Sequence, residues 1–157
     1  MTAGDFDDGF LARLGALYDA YVDGYRDADR KLPPMMQLKR EHTAFVVANA
    51  KAVVDGENFE SHLARVSLAA AWLHDTGRYE QLKRYDTFRD SDSVDHAVFS
   101  HDIVRKKGGL DACDPSVRDA ILNAVLWHNR RDLPPCGDPV TLSAAHVVRD
   151  ADKLDIF

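Results

Sequence analysis

Apolar residues recur at steps of three and four along most of the chain, which is the signature of amphipathic helices. Phe6, Phe10, Leu14, Leu17, Tyr18, Tyr21, Val22 and Tyr25 form the first such stripe. Asp5, Asp7 and Asp8 suit the positive end of that helix, and Pro33-Pro34 interrupts it. A second helix is predicted from Met36 to about Val54, with Leu38, Phe45, Val46, Ala50 and Val53 on its apolar side. His42 falls in step with Phe45, Val46 and Asn49 and is therefore expected to face inward. After a turn at Asp55-Gly56-Glu57-Asn58, a third helix runs from about Phe59 to His74, with Leu63, Val66, Ala70 and His74 on one face.

That helix ends in Ala69-Ala70-Ala71-Trp72-Leu73-His74-Asp75, an apolar run closed by an imidazole and a carboxylate. Gly77 is expected to supply the left-handed residue that stops it. A short helix follows over Arg78 to Tyr85, then a polar loop over Asp86 to Ser93 that is long enough to form a rim or lid. Ser93 is the expected cap of a helix from Val94 to Lys107 that ends at Gly108-Gly109 and places His96 with Phe99 and Ile103. Asp114-Pro115 starts the next helix, whose stripe is Val117, Ile121, Ala124, Val125 and His128. Arg130 to Pro139 is a proline-rich loop, and a last helix begins near Thr141 with Leu142, Ala145, Val148 and Asp152 on one side. No stretch alternates with period two for long enough to make a strand, so the reading is all-α, a bundle of about six to seven helices.

Composition narrows the class. At 157 residues, with 45% hydrophobic and 29% charged residues, the chain fits one soluble domain with a proper core. A net charge of -6 argues against nucleic acid or an anionic membrane as the main partner. The amino terminus lacks the basic and apolar regions of a signal peptide, and no run approaches the roughly 18 apolar residues of a membrane span. Cys113 and Cys136 stand in unrelated contexts and suggest neither a disulfide framework nor a zinc site. A cytoplasmic protein is expected.

Four predicted helices thus each turn one histidine inward (His42, His74, His96, His128), and a fifth turns in Asp152. One buried imidazole is ordinary, but buried polar groups need partners, and five such helices are hard to explain by packing alone. A shared metal resolves the pattern, because neutral imidazoles and carboxylates are the usual ligands of divalent ions.

In the order His42, His74-Asp75, Asp152 the chain resembles the HD-domain superfamily, metal-dependent phosphohydrolases with an all-α core. Leu73-His74-Asp75-Thr76-Gly77-Arg78 is similar to the end of that family's central helix, and Arg149-Asp150-Ala151-Asp152-Lys153-Leu154-Asp155 to its last motif. The resemblance implies His42, His74, Asp75 and Asp152 as metal ligands. Val94-Asp95-His96-Ala97 and Trp127-His128-Asn129 match the two further histidines of binuclear members, so His96 and His128 join the implied set. It covers residues 36–157 of what is read as a single domain spanning 1–157, leaving the helix within 1–34 outside. Asn129 and Leu133-Pro134-Pro135 depart from the cyclic-dinucleotide phosphodiesterase branch, which has a second His and a GYP motif there.

The function so implied is hydrolysis of a nucleotide or another small phosphate ester, with one or two divalent ions (Mn, Fe, Ni, Zn, Co or Mg) as cofactor. Asp75 would position the attacking hydroxide, while Arg78 and Lys153, which adjoin ligands, would contact the phosphate. The alternatives on the same ligand set are a di-iron oxygenase and a non-catalytic, metal-stabilised nucleotide sensor. His62, His101 and His146 carry no partner pattern, and Lys39-Arg40 and Arg130-Arg131 read as solvated charge. Homodimerisation through the terminal helices is expected from Phe10, Tyr18, Tyr21 and Tyr25, and from a chain that stops five residues after Asp152.

Overall fold

Helix α3 (Ser61–Leu73) is the axis of the molecule because from Val66 onward its sequence leaves it no exposed side: Val66, Ser67, Leu68, Ala69, Ala70, Ala71 and Leu73 are all buried. Such a helix must be surrounded, and the run of alanines lets its neighbours approach closely. The computed structural model describes residues 1–155, which form seven α-helices and one 3-10 turn. Around α3 stand α1 (Phe10–Asp23), α2 (Pro34–Gly56), α6 (Pro115–Trp127) and α7 (Pro139–Leu154). Helices α4 (Gly77–Tyr85) and α5 (His96–Lys107) pack on each other, and α5 also packs on α6. The 3-10 turn, Asp90–Asp92, lies in the α4–α5 connection. Among the described residues there is no strand, and no helix is long and apolar enough to cross a membrane.

Helix boundaries follow capping chemistry, and some differ from the periodicity. Helix α1 starts only at Phe10, and the next helix begins at Pro34 itself, where a missing N–H costs nothing. Asp95, not Ser93, caps α5, accepting the N–H groups of Ala97 and Val98. Ser93 instead donates to the Arg89 carbonyl and serves the loop. Asp138 caps α7 in the same way, so that helix begins at Pro139, two residues before the expected start. Gly108 closes α5 with φ +69°, as its position predicts.

Two expectations about faces are corrected. On α2 the buried residues are Met36, Thr43, Val46, Ala50 and Val54, whereas Leu38 and Phe45 are 56% and 59% exposed. A helix has room for one core stripe, and the stripe through Val46 and Ala50 wins it. On α1, Phe10 and Tyr18 are buried in the chain's own core, and Tyr18, Tyr21, Tyr25 and Tyr79 form a cluster with Tyr18 Oη 2.5 Å from Tyr79 Oη. Of the four aromatics from which self-association is expected, Phe10 and Tyr18 are thus taken up by the chain's own core, while Tyr21 and Tyr25 stay partly exposed. Phe6, which lies before α1, packs edge-to-face against Phe10 and His62.

Gly77 is not left-handed. The α3–α4 junction stays in the right-handed region (Thr76 φ -52°, ψ -34°), and Gly77 is the first residue of α4. What it supplies is proximity: its N–H donates to Ser100 Oγ at 2.8 Å, and a Cβ there would stand 2.7 Å from the Ser100 nitrogen and 3.1 Å from the His96 carbonyl oxygen. Gly77→Ala is expected to push α4 off α5 and destabilise the fold by about 1–3 kcal/mol. Denaturant unfolding checks this, and a variant as stable as the wild type would refute the close packing.

Candidate metal centre

The tight α3–α4 junction aims His74 and Asp75 into one space. Thr76 N–H and Thr76 Oγ1 both donate to the Leu73 carbonyl, and Arg78 N–H donates to that of Asp75. His74 is the C-cap of α3, where carbonyls lack helical partners, and its Nδ1–H donates to the Ala71 carbonyl at 2.8 Å. His128 repeats the device at the end of α6, donating from Nδ1 to the Val125 carbonyl at 2.7 Å. A carbonyl oxygen only accepts, so in both rings the proton is on Nδ1 and Nε2 is left facing inward.

His42 on α2 and His96 at the start of α5 are fixed by carboxylates instead: Nδ1 of His42 lies 2.5 Å from Asp155 Oδ2, and Nδ1 of His96 lies 2.6 Å from Asp90 Oδ2. All four Nε2 atoms therefore point at the buried Asp75. They divide between its two oxygens. Oδ2 lies 3.7 Å from both His42 and His74, and Oδ1 lies 3.6 Å from both His96 and His128. Asp152 joins the first pair, with Oδ1 at 2.8 Å from His42 Nε2 and 3.6 Å from His74 Nε2. Within the pairs, the Nε2 atoms are 3.4 Å apart for His42 and His74 and 3.1 Å apart for His96 and His128.

The model of the HD domain family matches residues 40–156. The chain belongs to the HD-domain family. No curated protein and no solved structure gives a significant match. Family membership places the chain in a superfamily of metal-dependent phosphohydrolases. The matched span takes in all six expected ligands and leaves α1 outside.

The residues of this HD domain fit a divalent ion. With metal–ligand bonds of about 2.0–2.2 Å, neighbouring donors around one ion stand about 3–3.6 Å apart, close to the separations in both pairs. His42, His74 and Asp152 form one group of donor atoms close enough to share an ion, and His74, Asp75 and His128 form another. Asp75 remains an anion: burial pushes its carboxyl up, but the imidazoles of His74 and His128 and the Lys39 ammonium hold it well below the usual range. Asp152 is likewise held low against burial by His42 and His74. Burial lowers the basicity of His96, which favours the neutral ligand form, with Asp75 opposing. In His42, burial is outweighed by Asp152 and Asp155, which raise its basicity. An ion must displace that proton, so metal affinity falls as pH falls.

Arg78 is drawn to the centre and Lys153 is not. Arg78 Nη1 donates to Gln81 Oε1, the Phe88 carbonyl and Asp90 Oδ1, while Nε, buried and without a hydrogen-bond partner, lies 3.7 Å from Asp75 Oδ1. Lys153 is exposed and makes no ion pair among the described residues, because it follows Asp152 on α7 and turns outward. The ammonium at the centre belongs to Lys39, 3.2 Å from Asp75 Oδ2. Lys39 read as solvated charge, yet it stands three residues before His42, a helical spacing that signals a shared face. Asp155 had the same signal from Asp152. Asp90 had none.

Asp90 also decides between the two readings of its loop, rim or lid, in favour of the rim. Together with Ser93 and the Val94 carbonyl it takes the Gln81 amide, and Gln81 is fully buried, so the segment is a pinned rim. Asn129 donates to Asp95 at 2.9 Å and ties the end of α6 to the start of α5. His62 packs edge-to-face against Phe6, His101 pairs with Asp102, and His146 is exposed; none joins the centre. Cys113 and Cys136 are free thiols.

Proposed function

We propose that this HD domain is a metal-dependent phosphohydrolase acting on a nucleotide or another small phosphate ester. The observation that carries the reading is one buried carboxylate with an imidazole pair on each oxygen and two cations, Lys39 and Arg78, beside it. When bound, divalent ions here supply Lewis-acid polarisation of a phosphoryl oxygen and make water acidic enough to attack near neutral pH. The side chains do the rest. Asp75, buried and ionised, accepts from and orients the attacking water. Arg78, its fork fixed through Nη1 and its Nε 3.7 Å from Asp75 Oδ1, holds a positive charge beside the reacting phosphate. Lys39 balances the charge on the other side. The Phe88 ring lies 5.3 Å from Lys39 Nζ and 5.7 Å from the Arg78 guanidinium carbon, an aromatic wall that favours a substrate with a planar base.

The test is a panel of phosphomonoesters and phosphodiesters, run on protein purified without chelator and supplied with each candidate metal. Hydrolysis that EDTA abolishes and added metal restores is the expected result. Bound iron with O2 uptake and no phosphate release would assign oxygenase chemistry instead. A ligand-induced shift in melting without turnover would assign a sensor.

A further inference from the structure

Away from the metal centre, α1, α4 and α5 enclose a groove that the proposed hydrolysis does not use. It consists of two adjoining cavities that share Ala20, Tyr21, Ile103 and Lys107 as walls. The inner one, about 330 Å³, is floored by apolar side chains including Leu14, Leu17, Leu73 and Val104. The outer one, about 550 Å³, is lined by Lys83, Arg84, Lys106 and Lys107, with Glu80 as its one acidic residue. Glu80 is already engaged, accepting from Tyr25 Oη and Arg84 Nε. Lys83, Lys106 and Lys107 make no ion pair among the described residues, and the ammoniums of Lys83 and Lys107 lie 5.8 and 5.4 Å from the ring centres of Tyr25 and Tyr21. This is a cluster of uncompensated cations on a chain of net charge -6. Basic residues in the last turns of α4 and α5 complement the helix dipoles, but that alone gives no reason for an apolar cavity beside them.

Both volumes fall in the range of small-molecule sites, about 300–1,000 Å³. An apolar pocket opening into a cationic mouth matches one ligand chemistry, an apolar group carrying an anionic head. We propose that the α1–α4–α5 groove binds a soluble amphiphilic anion, its apolar part against Leu17 and Ile103 and its anionic head at Lys83 and Lys107. The site is distinct from the metal centre but borders it: Leu73 and Thr76, on either side of His74-Asp75, line the inner cavity, and the Tyr21 hydroxyl donates to the Thr76 carbonyl at 3.1 Å.

Octane-1-sulfonate, kept below its micelle concentration, is a suitable probe because it cannot be hydrolysed. Calorimetric titration of the metal-loaded chain should give saturable binding at one site, with methanesulfonate (head alone) and octanol (tail alone) each at least about tenfold weaker. Lys83→Ala with Lys107→Ala should weaken octanesulfonate by about tenfold or more. Ala20→Phe, at an exposed rim position common to both cavities, should weaken it while leaving melting unchanged. Binding should survive chelator treatment. Absence of saturable binding, affinity unchanged in both variants, or binding that disappears with the metal would each overturn the proposal.

Discussion

Asp75→Ala should purify without metal, lose turnover to background, and show no rise in melting temperature when a divalent ion is added. Asp75 is 3% exposed, and its two oxygens are the atoms on which all four imidazoles converge. Without it, each set loses an anionic ligand: His96 and His128 are left with none, and His42 and His74 keep only Asp152, a single charge against a divalent ion. Lys39 also loses the carboxylate at 3.2 Å and is left as an unmatched cation facing the site. In the wild type, an ion held at 100 times its dissociation constant stabilises the fold by about 2.7 kcal/mol, and that metal-linked increment is what the variant forfeits. Asp75→Asn serves as the conservative control, since it keeps the volume and removes the charge. Metal content by elemental analysis and melting with and without EDTA are the readouts. Wild-type metal content in both variants would place the ions elsewhere.

The second large effect concerns number. His96 and His128 contact only one oxygen of Asp75, and the other oxygen has its own set of His42, His74 and Asp152. Changing His96 and His128 together to Ala should reduce stoichiometry from two ions to one and leave the other set loaded. Turnover should drop roughly 10²–10³-fold, the usual cost of removing electrostatic stabilisation from a reacting centre. Folding should suffer less, because Asp90 and the Val125 carbonyl, which hold these rings, lie near enough to the surface or to helix ends to find other donors. One ion per chain in the wild type under saturating Mn, Fe or Ni, unchanged in the double variant, would instead make the two histidines substrate-orienting groups.

Much of this centre was legible because helical periodicity reports which face a residue occupies. His42, His74, His96, His128 and Asp152 each sit on or beside an apolar stripe, and all five arrive at the centre. Periodicity reports less about which of two competing faces is buried, and so Leu38 and Phe45 were expected inside and lie outside. It also says nothing about which distant element supplies a partner. Lys39 acts through Asp75 and Phe88, and Asp90 through His96, Arg78 and Gln81, all contacts created by tertiary packing. Lys153 shows the converse, because adjacency to Asp152 in sequence turns a side chain to another face of the helix. Gly77 was found for the wrong reason. A glycine after a helix suggests a left-handed stop, and only the position of α5 reveals that the requirement is space.

The proposal that two ions flank Asp75 is tested most directly by anomalous diffraction from crystals grown with manganese. Two peaks are predicted, one beside Asp75 Oδ2 among His42, His74 and Asp152, and one beside Asp75 Oδ1 between His96 and His128. A single peak, or peaks remote from Asp75, would contradict the account.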